Sequence, residues 1–378
     1  MINHDWSAFW WNNITGANYV VQQVATALME NMTAIIEVPS DLPWRKEMRS
    51  AVETSYRDQA SVDAMIEIID AADECDPETS PGKFLLQQYG QSREIKNGYR
   101  DRSGKSLQQY LKEKAVLKNR IIWVKGLSGK QAEDWVKFCR EFDPETPEKG
   151  LFVLEIHGEF SKLGGKTLRF ISFLKHVSSY DVQLFNSFIL DKKKTLNANW
   201  KQYLATAAAS LCETDAEISS LLLQGEKLKE ISLLEKIDEI AEELIYSARG
   251  GEEDSTHVLA YARKNNRAEL EHRLWKAQIQ TLFPYIEMER VSIIESNKAE
   301  LQQALSHSHV EQYKNRVTEP VDVELGTLCY LLTVNSVYMP NRDDRERVFF
   351  LHECRNLLAH ARCCSEEQIC RLFDESLN

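Results

Sequence analysis

The stretch Leu151–Ile156, which reads LFVLEI, decides the fold class of the first half of the chain. Five of its six residues are apolar, a composition typical of a strand that is buried on both faces of a parallel sheet. Thr33–Val38 (TAIIEV) and Ile121–Val124 (IIWV) have the same character, and segments with helical periodicity separate the three. Strands that alternate with helices predict a three-layer α/β fold around a mainly parallel sheet.

The remaining elements first extend this pattern and then change it. Thr167–Phe173 is predicted to be a strand, Ser61–Ala72 is apolar and leaves helix and strand open, and the basic segment Arg93–Lys105 is predicted to be a loop. From residue 195 onward, apolar residues recur at three- and four-residue steps, which predicts helices. The sequence therefore predicts a combination of α/β and all-α: an α/β domain at 1–194, a helical connector at 195–265 and a helical bundle at 266–378.

The composition is that of a globular protein with an excess of acidic residues. The 378 residues include 46 basic and 58 acidic ones, a net charge of −12. Broad, non-specific binding of nucleic acid relies on neutralising phosphates, so this charge does not favour it, whereas a small local basic pocket stays compatible with it. No apolar run approaches the roughly 20 residues needed to span a bilayer, and the N-terminus lacks the features of a signal peptide. We expect a cytoplasmic protein whose eight cysteines are reduced. The five late cysteines lie near two histidines, so a zinc site is an alternative, but their spacing contains no C-x2-C pair and we interpret them as small core residues: Cys329, Cys354, Cys363, Cys364 and Cys370.

Three segments approach the phosphate-binding pattern G-x4-G-K-[ST], and none of them matches it. Gly98–Ser106 has one residue too many and no apolar strand before it. Gly126–Gln131 follows a strand, but its spacing is short and Gln131 replaces the hydroxyl that would bind magnesium. Gly158–Thr167 is two residues too long and precedes a predicted strand, which favours a hairpin. We therefore predict no cofactor site and no metal site.

The order of elements at the start of the chain nevertheless resembles AAA and STAND-type NTPases. Ile14–Tyr19 (ITGANY) precedes an amphipathic helix and then the strand TAIIEV, like a phosphate loop that has lost its lysine and hydroxyl. The next two buried strands follow the order of such folds, with Lys125 after the first, where an Asp is expected, and Glu155 near the end of the second. The resemblance implies a degenerate, P-loop-NTPase-like domain that does not hydrolyse ATP. An unrelated α/β domain is the alternative.

A second informative stretch is Val348–Arg362, VFFLHECRNLLAHAR, which is predicted to be helical. Its apolar residues recur at helical spacing and form one stripe: Val348, Leu351, Cys354, Leu358 and Ala361. His352, Asn356 and His360 step by four along a different, polar face, and Arg355 lies at its boundary. An imidazole can deprotonate an RNA 2′-OH, and a guanidinium can stabilise the charge that develops on the phosphate. Arg355, Asn356 and His360 are therefore candidate catalytic residues, and His352 is a weaker one.

The hexapeptide RNLLAH (Arg355–His360) resembles the R-x4-H motif of the HEPN superfamily, which consists of small helical bundles. The resemblance implies a HEPN-like bundle at residues 266–378. In the ribonuclease members two copies build one composite, metal-independent site, and other members are docking or dimerisation modules. The alternative is an ordinary amphipathic helix in which the stem of Arg355 lies along the edge of the core.

A degenerate NTPase-like domain joined to a HEPN-like bundle resembles components of prokaryotic anti-phage defence systems. We therefore expect a defence-system subunit that acts mainly through protein–protein interactions, with other subunits of the complex or with a second copy of itself. One alternative is a metal-independent endoribonuclease that uses Arg355 and His360, although the net charge does not favour RNA as a partner. Another is a nucleotide-binding regulatory ATPase. The sequence leaves open whether the protein is an enzyme.

Overall fold

The computed structural model describes residues 5–374 except 61–63, 101–103, 143–148, 159–165, 226, 246–255, 308–310 and 313–314. The chain divides into two compact units. The first unit comprises Met1–Phe185 and Thr214–Glu217, and the second comprises Asn186–Glu213 and Ile218–Asn378. The three-part division with boundaries after residues 194 and 265 stays a prediction.

The first unit is built on a five-stranded parallel sheet, which confirms the predicted α/β class. In chain order the strands are β1 (Thr33–Glu37), β2 (Met65–Asp70), β3 (Arg120–Leu127), β4 (Leu151–Ile156) and β5 (Leu168–Ser172). Across the sheet they follow the order β2-β3-β4-β1-β5. The stretch that the sequence left open, Ser61–Ala72, thus supplies the edge strand β2. The predicted hairpin at Gly158–Thr167 is wrong, because β1 lies between β4 and β5; residues 159–165 lie outside the described residues.

Helices pack against both faces of this sheet. The helices that begin in the first unit are α1 (Trp6–Asn13), α2 (Thr15–Met29), α3 (Arg45–Arg57), α4 (Ala71–Glu74), α5 (Pro81–Tyr89), α6 (Arg93–Gly98), α7 (Leu107–Glu113), α8 (Gly129–Phe142), α9 (Phe173–His176) and α10 (Ser179–Asp191). Successive strand residues point to opposite faces, so the apolar strands present buried side chains on each side. On one face, Val124 and Leu154 share a core with α5, α7 and α8. On the other, α2 contacts β1, β4 and β5 and buries Val20, Val24 and Leu28.

The second unit is helical in its described residues, apart from the two-residue strands β6 (Glu311–Gln312) and β7 (Asn315–Arg316) and one short 3-10 turn. Its helices are α11 (Ala198–Cys212), α12 (Ala216–Leu222, whose first residues belong to the first unit), α13 (Leu233–Glu243), α14 (Val258–Arg263), α15 (Arg267–Ser296), α16 (Lys298–His307), α17 (Leu325–Thr333), α18 (Arg342–Ala359) and α19 (Glu366–Asp374). The helix α15 contacts α11, α14 and α18. It is therefore the helix around which this unit packs.

Buried polar side chains connect α15 to the C-terminal helices. Gln278 of α15 accepts the N–H of Cys364 at 2.7 Å and donates to the carbonyl of the same residue at 3.1 Å. Arg347 of α18 donates to both carboxylate oxygens of Glu289 on α15, at 2.7 Å and 2.9 Å. It also donates to the carbonyl of Leu372 in α19 at 2.9 Å. Buried polar groups need partners of this kind, and these contacts fix α18 and α19 against α15.

Two further findings bear on the sequence-based predictions. Arg93–Lys105 is not a loop throughout, since α6 covers Arg93–Gly98; residues 101–103 are outside the described part of the chain. Among the described helices, none has the length and apolar character needed to cross a bilayer.

Candidate functional site

Open α/β sheets bind ligands outside the carboxyl ends of their strands, and this edge of the sheet is the first candidate site. The loop of residues 38–44 joins β1 to α3 here, and it contains Pro39 and Pro43 but neither glycine nor lysine. Each proline removes a backbone N–H, so the longest run of N–H groups between them is the three of Ser40, Asp41 and Leu42. The glycines and the lysine of a phosphate loop are absent. At the end of the loop, the N–H of Trp44 donates to the carboxylate of Glu217 at 2.8 Å. The loop is thus held by contacts within the first unit.

The segment Ile14–Tyr19, which the sequence placed at the position of a phosphate loop, does not follow a strand. It follows the helix α1 and leads into α2, and the first strand of the sheet comes only after α2. The N–H of Gly16 donates to the Asp181 carboxylate at 3.1 Å. A phosphate loop connects a strand to a helix, so the alignment of Ile14–Tyr19 with one is wrong.

Glu155 is a buried carboxylate near the carboxyl edge of the sheet. It lies in β4 opposite Ile36 of β1, and it is fully buried. Arg49 of α3 donates from Nε to Oε1 at 2.9 Å and from Nη2 to Oε2 at 3.4 Å. Trp123 of β3 donates to Oε1 at 2.5 Å, and Arg45 Nη1 lies 3.5 Å from Oε2. Two guanidinium groups and an indole N–H therefore satisfy one buried carboxylate.

Lys125 lies beside this cluster, at the position where the NTPase resemblance expects an Asp. Its ammonium group pairs with the Asp70 carboxylate at the end of β2. Burial lowers the pKa of Lys125, and the positive charge of Arg49 lowers it further. An incoming phosphate would have to compete with Glu155 for the arginines and with Asp70 for the lysine. Each of these three cations is therefore already paired with a carboxylate of the first unit.

The lysines of the three near-matches to a phosphate loop lie at separate places. Lys105 Nζ pairs with the Glu113 carboxylate at 2.8 Å. Lys130 is exposed at the start of α8, which follows directly after β3. Of the three near-matches, only Gly126–Gln131 thus lies between a strand and a helix among the described residues. Lys166 is exposed just before β5.

The second candidate site is on α18, where the structure brings three of the four predicted residues together. Asn356 Nδ2 and His352 Nε2 are 3.1 Å apart, and Arg355 Nη1 donates to Asn356 Oδ1 at 3.3 Å. Burial, followed by the charge of Arg355, lowers the pKa of His352. A Cβ atom added at Gly326 of α17 would lie 3.5 Å from His352 Nε2, so α17 flanks the cluster closely. A neutral imidazole beside a guanidinium can accept a proton from a substrate near the anion that the guanidinium binds.

His360 is the candidate residue whose side chain makes no hydrogen bond with this cluster among the described residues. The helix α18 ends one residue earlier, and the side chain of His360 is exposed. Ala361 adopts a left-handed conformation with φ 55°, and the N–H of Arg362 donates to the carbonyl of Leu357 at 2.9 Å. This is the bond pattern of a Schellman motif, which usually has glycine at the left-handed position. The turn redirects the chain just where His360 would extend the polar face.

The sequence reasoning missed Arg45, Arg49 and Trp123. A signal for them was present, because Glu155 is the one acidic residue in an otherwise apolar strand and must find a partner when the strand is buried. Arg45 and Arg49 lie four residues apart in the helix after β1, so they share one helix face. The neighbouring strand order, which the sequence did not reveal, was needed to bring them to Glu155.

No protein-family profile and no curated protein matches this sequence. Among solved structures, one match is a chain from the structure of Drosophila ORC bound to poly(dA/dT) DNA and Cdc6, with 13% sequence identity and a TM-score of 0.28. That match covers 93% of this chain and 62% of the ORC chain, so this chain spans less than two thirds of its length. A second is a chain from the structure of Drosophila ORC bound to DNA, with 12% identity, a TM-score of 0.25, and coverage of 93% and 67%. These TM-scores are too low to carry an argument about this chain.

Proposed function

We propose that this chain is a subunit of a prokaryotic anti-phage defence system and acts mainly through protein–protein interactions. Its N-terminal α/β domain is P-loop-NTPase-like and does not hydrolyse nucleotide. The observation that carries the proposal is the closure of the carboxyl edge of the sheet by Glu155 with Arg45 and Arg49. A sheet whose ligand-binding edge is filled by its own side chains is suited to a structural or docking role.

The second unit supplies exposed aromatic side chains for such contacts. Tyr330 is 63% exposed, Tyr338 74% and Phe349 45%. Tyr330 lies on α17 and Phe349 on α18, and these two helices pack against each other. Aromatic residues are enriched at protein interfaces, where they carry much of the binding energy. The proposal assigns these three residues, the aromatic surface, to the contact with another subunit of the complex.

The double variant Tyr330→Glu with Phe349→Glu tests this assignment. In a host that carries the complete gene neighbourhood, we expect the variant to lose phage protection and to lose the subunit that copurifies with the wild type. Tyr180→Glu is the matched control, because Tyr180 is 72% exposed and lies in the first unit. Circular dichroism and melting of both proteins control for folding. Deletion of the gene without any change in phage sensitivity would contradict the proposal.

The cluster of His352, Arg355 and Asn356 favours a second candidate function, the metal-independent cleavage of RNA. In this reading Arg355 stabilises the charge on the phosphate, and His360 or His352 takes the proton of the 2′-OH. Substitution of a general base by alanine lowers the rate by about two to four orders of magnitude. We expect Arg355→Ala and His360→Ala each to abolish cleavage of labelled RNA on a gel without changing the melting curve. Wild-type protein that leaves the RNA intact would eliminate this candidate.

A further inference from the structure

Basic residues are concentrated in one segment of the first unit. Residues 83–120, here called the basic module, contain ten basic and three acidic residues, a net charge of +7. The other 340 residues contain 36 basic and 55 acidic residues, a net charge of −19. The overall charge of −12 is thus the sum of two regions of opposite sign. The overall negative charge does not favour binding of nucleic acid, but the module itself is positively charged.

The described residues of the module, 83–100 and 104–120, belong to the α/β unit; they lie between β2 and β3 in the chain and end with the first residue of β3. The module forms α5, α6 and α7, and Leu85 and Leu111 anchor it in the core on one face of the sheet. The Tyr110 hydroxyl donates to the carbonyl of Ile95 at 2.9 Å, and the rings of Tyr99 and Tyr110 have centroids 5.6 Å apart. These contacts hold α6 against α7. Arg93 and Lys96 lie on α6, Arg100 follows its end, and Lys114 and Lys118 follow the end of α7.

The exposed cations of the module include five that the proposal uses: Arg93, Lys96, Arg100, Lys114 and Lys118. No described residue forms an ion pair with any of them. Two other basic residues of the module are already neutralised, since Lys105 pairs with Glu113 and Arg120 pairs with Glu67. The five cations are therefore available to an external anion.

We propose that the basic module binds the phosphodiester backbone of a nucleic acid. Five exposed cations that neutralise phosphates release counterions, and this release is the main source of sequence-independent affinity. The contacts are to phosphate and position the strand without reading its bases. The acidic remainder of the chain repels the same polyanion and so restricts binding to the module. This inference goes beyond the proposed function, which places its RNA-cleaving alternative in the second unit and assigns no nucleic acid to this module.

The adjacent cleft does not carry this proposal. It has a volume of about 530 Å³ and is bordered by α5, α7 and α8. Lys130 and Lys137 line it on α8, but Asp134 and Glu141 alternate with them along the same helix. Opposite charges at this spacing form a balanced, solvated face. The proposal rests instead on the five exposed cations in and just after α6 and just after α7.

The test is a fluorescence-anisotropy titration of the full chain with a labelled DNA duplex and with a labelled single-stranded RNA, each at several salt concentrations. With five phosphate contacts, the logarithm of the association constant should fall with log[salt] with a slope of about −4.5 for the duplex and about −3.5 for the single strand. For the duplex this corresponds to about a 500-fold loss of affinity between 50 and 200 mM salt. The two arms distinguish which nucleic acid supplies the backbone.

The triple variant Arg93→Gln, Lys96→Gln, Arg100→Gln removes three of the five contacts. Its duplex slope should fall to about −1.8, so that affinity changes only about 12-fold over the same salt range. The matched control is the triple variant of three exposed lysines outside the module: Lys175→Gln, Lys192→Gln, Lys194→Gln. It makes the same change in net charge and should keep the wild-type slope. Melting curves of both variants show whether the fold is retained.

Three outcomes would overturn the proposal. One is wild-type protein that binds neither nucleic acid at micromolar concentration and 50 mM salt. Another is an equal loss of slope in the two triple variants, which would show a general charge effect. The last is binding to vesicles that contain anionic phospholipid, sensitive to the module variant, without binding to either nucleic acid. That result would assign the module to a membrane surface.

Discussion

Substitution of Arg49 by methionine removes the main partner of the most deeply buried carboxylate in the first unit. Arg49→Met keeps most of the side-chain stem and deletes the two N–H donors to Glu155, which is fully buried. Loss of one partner of a buried ion pair costs about 3–5 kcal/mol, because the other charge stays buried. Trp123 still donates to Glu155 and Arg45 still lies 3.5 Å away. We therefore expect Arg49→Met to lower the free energy of unfolding by about 3 kcal/mol, the lower end of that range.

The assay is urea unfolding followed by tryptophan fluorescence, to which Trp123 contributes through its contact with Glu155. A double-mutant cycle with Glu155→Leu isolates the pairwise term. The double variant should be more stable than the sum of the single changes predicts, since apolar replacement of a whole buried pair is often nearly neutral. We expect a coupling free energy of about 2–3 kcal/mol, near the upper end for residues in direct contact.

Arg57→Met on the same helix is the matched control. Arg57 pairs with Glu53 at 2.8 Å, and the two side chains are 51% and 34% exposed. An exposed i,i+4 pair contributes about 0.3–0.5 kcal/mol, so this variant should be close to wild type. Equal effects of Arg49→Met and Arg57→Met, or additive changes in the cycle, would refute the buried ion pair at the edge of the sheet.

Three further predictions concern His352, Ala361 and the cysteines. Because the pKa of His352 is lowered below its ordinary 6.5, its NMR titration midpoint should lie below 6.5. Its contribution to stability is present above pH 6.5 and should be lost as the pH falls through the folded-state pKa. A midpoint above 6.5 would contradict the burial of His352 beside Arg355. Ala361→Gly should raise the free energy of unfolding by about 1 kcal/mol, because a non-glycine residue in the left-handed region costs about that much, whereas a loss of stability in urea unfolding would refute the Schellman geometry. Ellman's reagent should modify Cys363 and Cys370 in the native protein and leave the six buried cysteines unmodified. The reaction of Cys363 should be slow because burial raises its pKa to about 11. Fast labelling of all eight cysteines would contradict the burial of the other six.

The sequence predicted the α/β class because apolar strands such as LFVLEI have few other places to be buried. It did not identify β2, because an edge strand is partly exposed and does not need the same composition; Met65 and Ile68 are 53% and 48% exposed. The hairpin at Gly158–Thr167 was mispredicted for a related reason. Chain neighbours often pair, but here β1, which comes much earlier in the chain, lies between the two strands.

The candidate sites were predictable only as far as local spacing determines them. Residues four apart on one helix are neighbours, so the approach of His352 to Asn356 follows from the sequence. The position of His360 does not, because the helix ends there on a left-handed alanine, whereas glycine is the residue that usually marks such an end. The partnership of Glu155 with Arg49 joins residues 106 positions apart, and only the strand order brings them together.

The central claim, that the α/β domain does not hydrolyse nucleotide, is tested most directly by measuring phosphate release from Mg-ATP by the purified full chain. We expect no release above that of the buffer, because the loop after β1 lacks the glycines and the lysine of a phosphate loop and Glu155 already pairs with the arginines at the edge of the sheet. A turnover of about 1 per second, within the ordinary enzymatic range, that is lost in Lys105→Ala, Lys130→Ala or Lys166→Ala would contradict it.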